Sequence, residues 1–387
     1  MRVLISGAGI AGLTLALCLY RRGHEPVLLE KMSRLRSDGY MIDFFGPGYR
    51  AAERMGLLPR LQALHYPVAR MAFVARDGTP RFAIPYAQLQ TLANGRAFNF
   101  MRGELERALS EELAGRVPIR FNTEVLRVSE EGDTVSVTLS DAKRYDCDLL
   151  IGADGVHSKV RSLCFGSGPS CLRYLGFHAA ACIVERPAGL SELDDTFFTV
   201  ALPGRHAVVY PIRGGQVATF FVHADASPTF ENVQFAIRSR LEQLYGDLGW
   251  HFPELLRRQS EAPYIYYDTV SQVIMKSWTR RRIALLGDAC GCVSLLSGQG
   301  ASLAMAGAYA LAEELDLDAD IPTALSHYER RLRPLVERKQ RAGRSFARWF
   351  VPKSALRCAV RDLALRTLSL KPAAHLFKRQ LAGDEEF

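Results

Sequence analysis

Three kinds of hydrophobic pattern alternate along this chain. Continuous apolar runs occur at Arg2–Ser6, Pro26–Leu29, Cys147–Ile151 and Arg282–Leu286, each followed at once by a glycine or an acid, as expected of strands buried on both faces of a parallel sheet. The period of two expected of half-buried antiparallel strands covers Val117–Phe121, Glu124–Ser129 and Val135–Leu139, and strand-like runs fill Met71–Arg76 and Arg81–Tyr86. More strands follow at Ala179–Glu185, Thr196–Ala201, Ala207–Pro211, Val217–His223 and Ile265–Val270. Asp77-Gly78, Pro203-Gly204 and Gly214-Gly215 sit between neighbours as turns. Helical spacing marks Leu13–Arg22, Tyr49–Met55, Gly103–Leu113, Val233–Leu244 and Gly300–Leu315, and everything from Pro322 onward reads as helix broken at Pro334, Pro352 and Pro372.

The pattern predicts an α/β fold in which one parallel-sheet domain is assembled from separated pieces. Residues 1–70, 98–174 and 277–320 supply that domain. Residues 71–97 add a hairpin and 175–276 a mostly antiparallel sheet domain inserted between the pieces, and 321–387 form a helical C-terminal region.

The first β-α-β unit carries the sharpest chemistry. Gly7-Ala-Gly9-Ile10-Ala11-Gly12 joins the first strand to its helix, and Glu30 ends the second strand. Gly7 permits the tight turn, Gly9 lets backbone approach a pyrophosphate, and Gly12 lets helix and strand pack closely. The helix N-terminus then faces the ligand's negative charge. Glu30 is placed to accept hydrogen bonds from a ribose and would repel a 2′-phosphate, so this Rossmann-like site favours FAD or NAD over NADP. Two distant segments share the form of an apolar strand ending in a glycine and acid turn, Gly152-Ala-Asp154-Gly155 and Gly287-Asp288. In a parallel sheet such turns gather at the carboxyl edge, where one extended ligand can touch all three.

Charge and cysteine content narrow the partners. The net charge of +8 belongs to the region from Ile321 on, where 15 Lys/Arg face 6 Asp/Glu, leaving 34 and 35 for the rest. Few aromatics interleave with these cations and no nucleic-acid motif is present, so a solvated basic face is expected and no nucleic-acid partner. No apolar run reaches the length of a membrane span. The eight cysteines (Cys18, Cys147, Cys164, Cys171, Cys182, Cys290, Cys292 and Cys358) form no paired C-x-x-C sets, which fits buried thiols in a reducing, cytoplasmic setting. Cys290-Gly-Cys292 lacks a second cluster of ligands, and no metal site is expected.

The three motifs in this order resemble the group A flavin-dependent monooxygenases, the family of para-hydroxybenzoate hydroxylase. The run Leu149 to Arg161 looks like the family's second motif, which bears on FAD and NAD(P)H binding, and Arg282 to Ala289 with Gly298-Gln299-Gly300 looks like the third, whose aspartate, here Asp288, holds the ribityl chain. The resemblance implies Glu30 beside the adenosine ribose with Lys31 next to it. It also implies Arg102 at the FAD phosphate or ribityl region, Leu126 clasping adenine through its backbone, and Asp154 in the second motif. Ala301 and Ser302 continue the third. The loop holding Arg36 and Asp43 is similar to that of tetracycline-inactivating monooxygenases, which implies a nicotinamide contact for Arg36 and an FAD contact for Asp43. The chain departs from the family at Gly291-Cys292, Leu295 and Gly307, where His-Pro, Pro and Asp are usual.

The resemblance implies an FAD-dependent hydroxylase that uses NADPH or NADH and O2, by way of a C4a-hydroperoxyflavin, to oxygenate an aromatic or polyketide-like small molecule. A positive helix end at Gly298–Gly300 would stabilise the anionic reduced ring. Phe197, Phe198, Tyr210, Phe220, Phe221 and Tyr266 could wall an apolar substrate site, with Tyr210, Phe221 and Phe198 the expected contacts. His178, His206 and His223 are expected on the surface or in hydrogen bonds, and no catalytic acid or base is named. An oxidase, dehydrogenase or epoxidase on the same fold, or a catalytically silent FAD binder, remains the alternative. Ser158 lacks the G-x-S-x-G elbow of a hydrolase nucleophile, and the Trp-x-Trp-x-Ile-Pro segment of a halogenase is absent.

Overall fold

The computed structural model describes residues 1–35, 39–88, 95–166, 171–190, 194–262, 264–317 and 320–367. The continuous apolar runs form the centre of a six-stranded sheet. Its order is Thr279–Arg280, Ile283–Leu285, Leu149–Gly152, Arg2–Ser6, Glu25–Leu29 and Ile119–Arg120. Neighbours are parallel except at the Thr279–Arg280 edge. Val3, Leu4, Ile5, Leu149, Leu150 and Ile151 are fully buried, since helix Ile10–Arg21, itself covered by helix Gly300–Leu317, and a three-stranded sheet pack on this layer.

The stretch Val117–Phe121 corrects an expectation. Only Ile119–Arg120 is strand, and it pairs parallel with Leu28–Leu29 as the sheet's outer edge. Its apolar and polar residues alternate because an edge strand is half-exposed, whichever way it runs.

The early hairpin and the strands after Gly166 build a seven-stranded sheet in the order Tyr266–Val273, Leu172–Glu185, Gln216–Ala224, Arg205–Ile212, Thr196–Leu202, Arg70–Val74 and Pro80–Pro85, while Val125–Glu131 and Thr134–Leu139 pair in the three-stranded sheet. All neighbours in the seven-stranded sheet are antiparallel except Thr196–Val200 with Arg70–Val74, which run parallel and attach the early hairpin. One face packs on helices Gln234–Tyr245 and Phe252–Glu261, with Phe221, Tyr245 and Phe252 buried between them. The opposite face turns toward the cofactor domain.

The C-terminal helix runs unbroken from Ile321 to Phe350, through Pro334. Proline removes one helical hydrogen bond, at a cost of about 3 kcal/mol. Burial of Tyr328, Leu332, Leu335 and Val336 around it offsets that cost. The chain turns at Pro352 and resumes as Ala355–Thr367, while Pro372 lies outside the described residues. The basic tail is therefore an amphipathic element: its apolar stripe is buried, and Arg330, Arg338, Arg341 and Arg348 lie on the solvated face that was expected.

Candidate active site

The three glycine turns lie side by side at the carboxyl edge of adjacent strands. Gly7 has φ +107°, and a Cβ there would sit 2.5 Å from the Ala153 carbonyl oxygen. Gly12 approaches so closely that its Cβ would lie 2.0 Å from the Gly7 oxygen. The Ala153 amide donates to Ser6 at 2.8 Å and the Leu286 amide to Gly152 at 2.9 Å, and Gly287 faces the side chain of Ala11. The helix beginning at Ile10 has no side-chain cap at Gly9, so its first amide groups are directed at the space above the turns.

Glu30 borders that space. Its Oε2 accepts from the Ala8 amide at 3.1 Å and its Oε1 from the Met32 amide at 2.9 Å, which fixes the carboxylate while leaving each oxygen a further lone pair. The Thr123 amide donates to the Glu30 carbonyl at 3.0 Å. Lys31 is exposed, and Leu126 is 46% exposed at a bulge between Val125 and Arg127.

Arg102 begins the Arg102–Leu113 helix and pairs at 3.2 Å with Glu106, one turn on. Its Nη2 lies 3.9 Å from where a Gly9 Cβ would be. Burial disfavours the guanidinium charge, but Glu106, Tyr40 and Tyr266 outweigh it and hold its pKa above the ordinary arginine value. Asp288 lies 3.7 Å from the Cβ position of Gly300, and burial raises its carboxyl pKa against the pull of Arg102 and Cys292. Asp43 accepts from Tyr86 Oη at 2.6 Å and Asn99 Nδ2 at 2.5 Å. Burial raises its pKa, and these two hydrogen bonds oppose the rise. Its other oxygen is 3.9 Å from the Cβ position of Gly298.

Asp154 has a different job from the other carboxylates. It accepts from Ser158 Oγ and from the Lys159 and Val160 amides at 2.8 and 3.1 Å, capping the Lys159–Cys164 helix. Arg161 then donates to Val156 O at 2.6 Å and Ala289 O at 2.9 Å, fastening the second turn to the third. In the third motif Gln299 is buried and Ala301 half-buried. Ser302 Oγ accepts from the Gly48 amide at 2.8 Å and donates to Phe45 O at 2.5 Å, joining this segment to the Asp43 strand. Arg36 lies outside the described residues.

The departures from the family pattern have a packing cause. A Cβ on Gly291 would meet Val336 at 2.8 Å, and one on Gly307 would meet Leu332 at 2.8 Å. Both are therefore points where the C-terminal helix presses in. Cys290 and Cys292 are free thiols in this packed region, with burial pushing Cys290 up to about 12 and Cys292 well above its ordinary value. Such thiols are poor nucleophiles and ligands.

A cavity of about 340 Å³ adjoins the third turn. Ser297, Gly298 and Asp43 form one end, Phe197, Tyr210 and Phe220 a wall, and Phe346, Trp349 and Phe350 a roof from the C-terminal helix. Tyr210 is held in place as its hydroxyl accepts from the Met41 amide at 2.8 Å, and its ring lies 4.7 Å from that of Phe197. The expected contacts Phe198 and Phe221 sit on the other face, in the core against Trp250, Tyr245 and Phe252. Successive strand residues point to opposite faces, so the cavity receives their neighbours Phe197 and Phe220. Tyr266 stacks obliquely on Tyr40, which lines the cavity.

All three histidines singled out are buried. His178 Nδ1 and His223 Nε2 both lie within hydrogen-bonding distance of Tyr267 Oη, at 2.9 and 3.0 Å. His206 lines the cavity instead.

The uncapped helix start, the anchored Glu30 and the carboxylates of Asp43 and Asp288 beside Gly298 and Gly300 suit a long dinucleotide, which fits FAD. Comparison with known proteins agrees. Residues 1–341 match the FAD binding domain family. A flavin-dependent monooxygenase from an unknown prokaryotic organism is 31% identical over 350 residues, covering 89% of this chain and 88% of the relative. One from Legionella longbeachae serogroup 1 (strain NSW150) is 30% identical over 367 residues, with 89% and 88% covered. The crystal structure of tetracycline destructase Tet(55) superposes with a TM-score of 0.82 at 28% identity, covering 96% of each chain. No described helix is long and apolar enough to cross a membrane.

Proposed function

The chain belongs to the FAD binding domain family and is a flavin-dependent monooxygenase, and we propose that it hydroxylates a fused-ring aromatic or polyketide-like molecule held in the 340 Å³ cavity. One observation carries the reading: Asp43, Ser297 and Gly298 belong at once to the cofactor turns and to the cavity wall, so a ligand in the cavity meets the reactive end of the cofactor. The similarity to a tetracycline destructase supports it.

FAD, reduced by NAD(P)H, supplies the activation of O2 and the oxygen transfer. The residues of this chain bind, orient and dehydrate. With FAD bound, Glu30 would receive the ribose hydroxyls, the amides of the first helix and Arg102 would meet the pyrophosphate, and Asp288 would hold the ribityl chain. The start of the Gly300–Leu317 helix offers positive charge where negative charge develops on the ring. Phe197, Tyr210, Phe220, Leu295 and Leu296 line the cavity with apolar surface that keeps water from the reacting atoms.

The test is NADPH and NADH consumption with and without candidate phenols. Faster consumption coupled to an oxygenated product is expected. Anaerobic reduction of the flavin by substrate alone, with no nicotinamide, would make the enzyme an oxidase or dehydrogenase.

A further inference from the structure

The cavity has a second polar end, far from the cofactor turns. His206 is 3% exposed and lines the cavity, yet neither Nδ1 nor Nε2 has a hydrogen-bond partner among the described residues. Thr199 is fully buried on the same wall, and its Oγ1 is also unpartnered. The two share one face of the sheet because Thr199 pairs with Val208 and His206 with Ala201, two residues along on each strand. A buried donor or acceptor left without a partner is costly and rare in folded proteins. Three such atoms in one pocket therefore point to a ligand that satisfies them.

We propose that His206 and Thr199 form a distal subsite that grips a hydroxyl or amide at the far end of the substrate. The inference rests on reading this cavity as the substrate site. Burial drives the His206 pKa down to about 3, with Arg361 adding to the shift, so the ring is neutral and offers one N–H and one lone pair. Thr199 offers a hydroxyl that donates and accepts. A group that both donates and accepts is therefore matched, whereas a carboxylate is not.

The charge on the lining agrees. Among the described lining residues Arg361 is the one cation, and it is already committed: its Nε and Nη2 donate to Asp362 Oδ1 at 3.1 and 2.7 Å and its Nη1 to Phe350 O at 3.1 Å. The distal end thus selects a neutral group. Four residues of one strand separate His206 from Tyr210 beside the cofactor turns, a span of about 13 Å. A single benzene ring cannot bridge that length, and a fused polycyclic skeleton can. The substrate class becomes a neutral polycycle with its reacting ring at Gly298 and a hydroxyl or amide at the opposite end.

The test uses the FAD-loaded enzyme with estradiol, a phenol whose fused rings carry a hydroxyl at the far end, and with the deoxy analogue that lacks this hydroxyl. Binding is followed by the change in flavin absorbance, and NADPH consumption is measured in parallel. Wild type should bind estradiol about tenfold more tightly than the deoxy compound, a ratio worth about 1.4 kcal/mol. His206→Phe and the near-isosteric Thr199→Val should each bring the ratio toward one with FAD content unchanged. Equal binding of the two compounds by wild type, or a ratio that survives both substitutions, would overturn the subsite while leaving the hydroxylase reading intact. If neither compound binds but smaller phenols stimulate NADPH consumption, the polycyclic class is wrong. If no phenol of any size does so, the hydroxylase reading itself fails.

Discussion

Gln340 of the C-terminal helix donates to the carbonyl oxygen of Cys292 at 3.0 Å, and the same Nε2 donates to Val273 at 2.7 Å. Gln272 answers from the sheet side, donating to Val293 O at 2.9 Å and to Gln340 O at 2.8 Å. These two buried amides clamp the loop that leads into Gly298, including Ser294, whose φ of +111° is strained for a residue with a side chain. Gln340→Ala should cost about 1–3 kcal/mol of stability by leaving carbonyls unmet. It should also weaken FAD binding severalfold, as read by thermal unfolding and by titration of the apoprotein.

Asp288 and Arg102 are half-buried beside the glycine turns, and each favours the charged form of the other. Asp288→Ala and Arg102→Ala are each expected to strip the yellow colour from the purified protein. Full retention of FAD by both would show that the cofactor lies elsewhere.

Gly291 stands where the family usually has histidine, and the C-terminal helix occupies the space a side chain would need. Gly291→His should therefore destabilise the protein, by about 1–3 kcal/mol or more, even though it restores the common pattern. Chemical denaturation measures this directly. A neutral or stabilising result would mean that the Ile321–Phe350 helix does not press on this loop.

The acid limb of stability follows from two histidines. Burial pushes His206 and His223 down to about 3, with Arg361 and His178 respectively adding to the effect. Unfolded, each takes up a proton as pH falls through about 6.5, whereas folded neither does until about 3. Their stabilisation is thus complete above about pH 6.5 and is lost progressively below it, at up to about 1.4 kcal/mol per pH unit for each. Denaturation midpoints for His206→Phe should fall less steeply between about pH 6 and 4 than those of wild type.

Much of this was readable from residue order. The continuous apolar runs and their glycine turns specify the parallel sheet and its ligand edge, because a strand buried on both faces tolerates little polarity. The turn lengths even contained the answer that Phe198 and Phe221 missed. A two-residue turn at Pro203-Gly204 pairs Leu202 with Arg205, and counting back sets Phe197, not Phe198, on the Tyr210 side. The next turn likewise pairs Val208 with Phe220. What local pattern could not give was the partner of the C-terminal helix. Its cations dominate the composition, but its apolar stripe finds the cavity only through long-range packing. Tyr86 and Asn99 on Asp43, and the pair His206 and Thr199, likewise meet only in the folded chain.

The central claim is that O2 is split at the junction of the cofactor turns and the cavity, with one atom entering the organic ligand. Turnover of a polycyclic phenol with NADPH under ¹⁸O2, read by product mass, tests this most directly. One ¹⁸O atom in the product is the predicted result. Oxidised product without ¹⁸O, or NADPH consumption yielding only peroxide across the phenol panel, would contradict it.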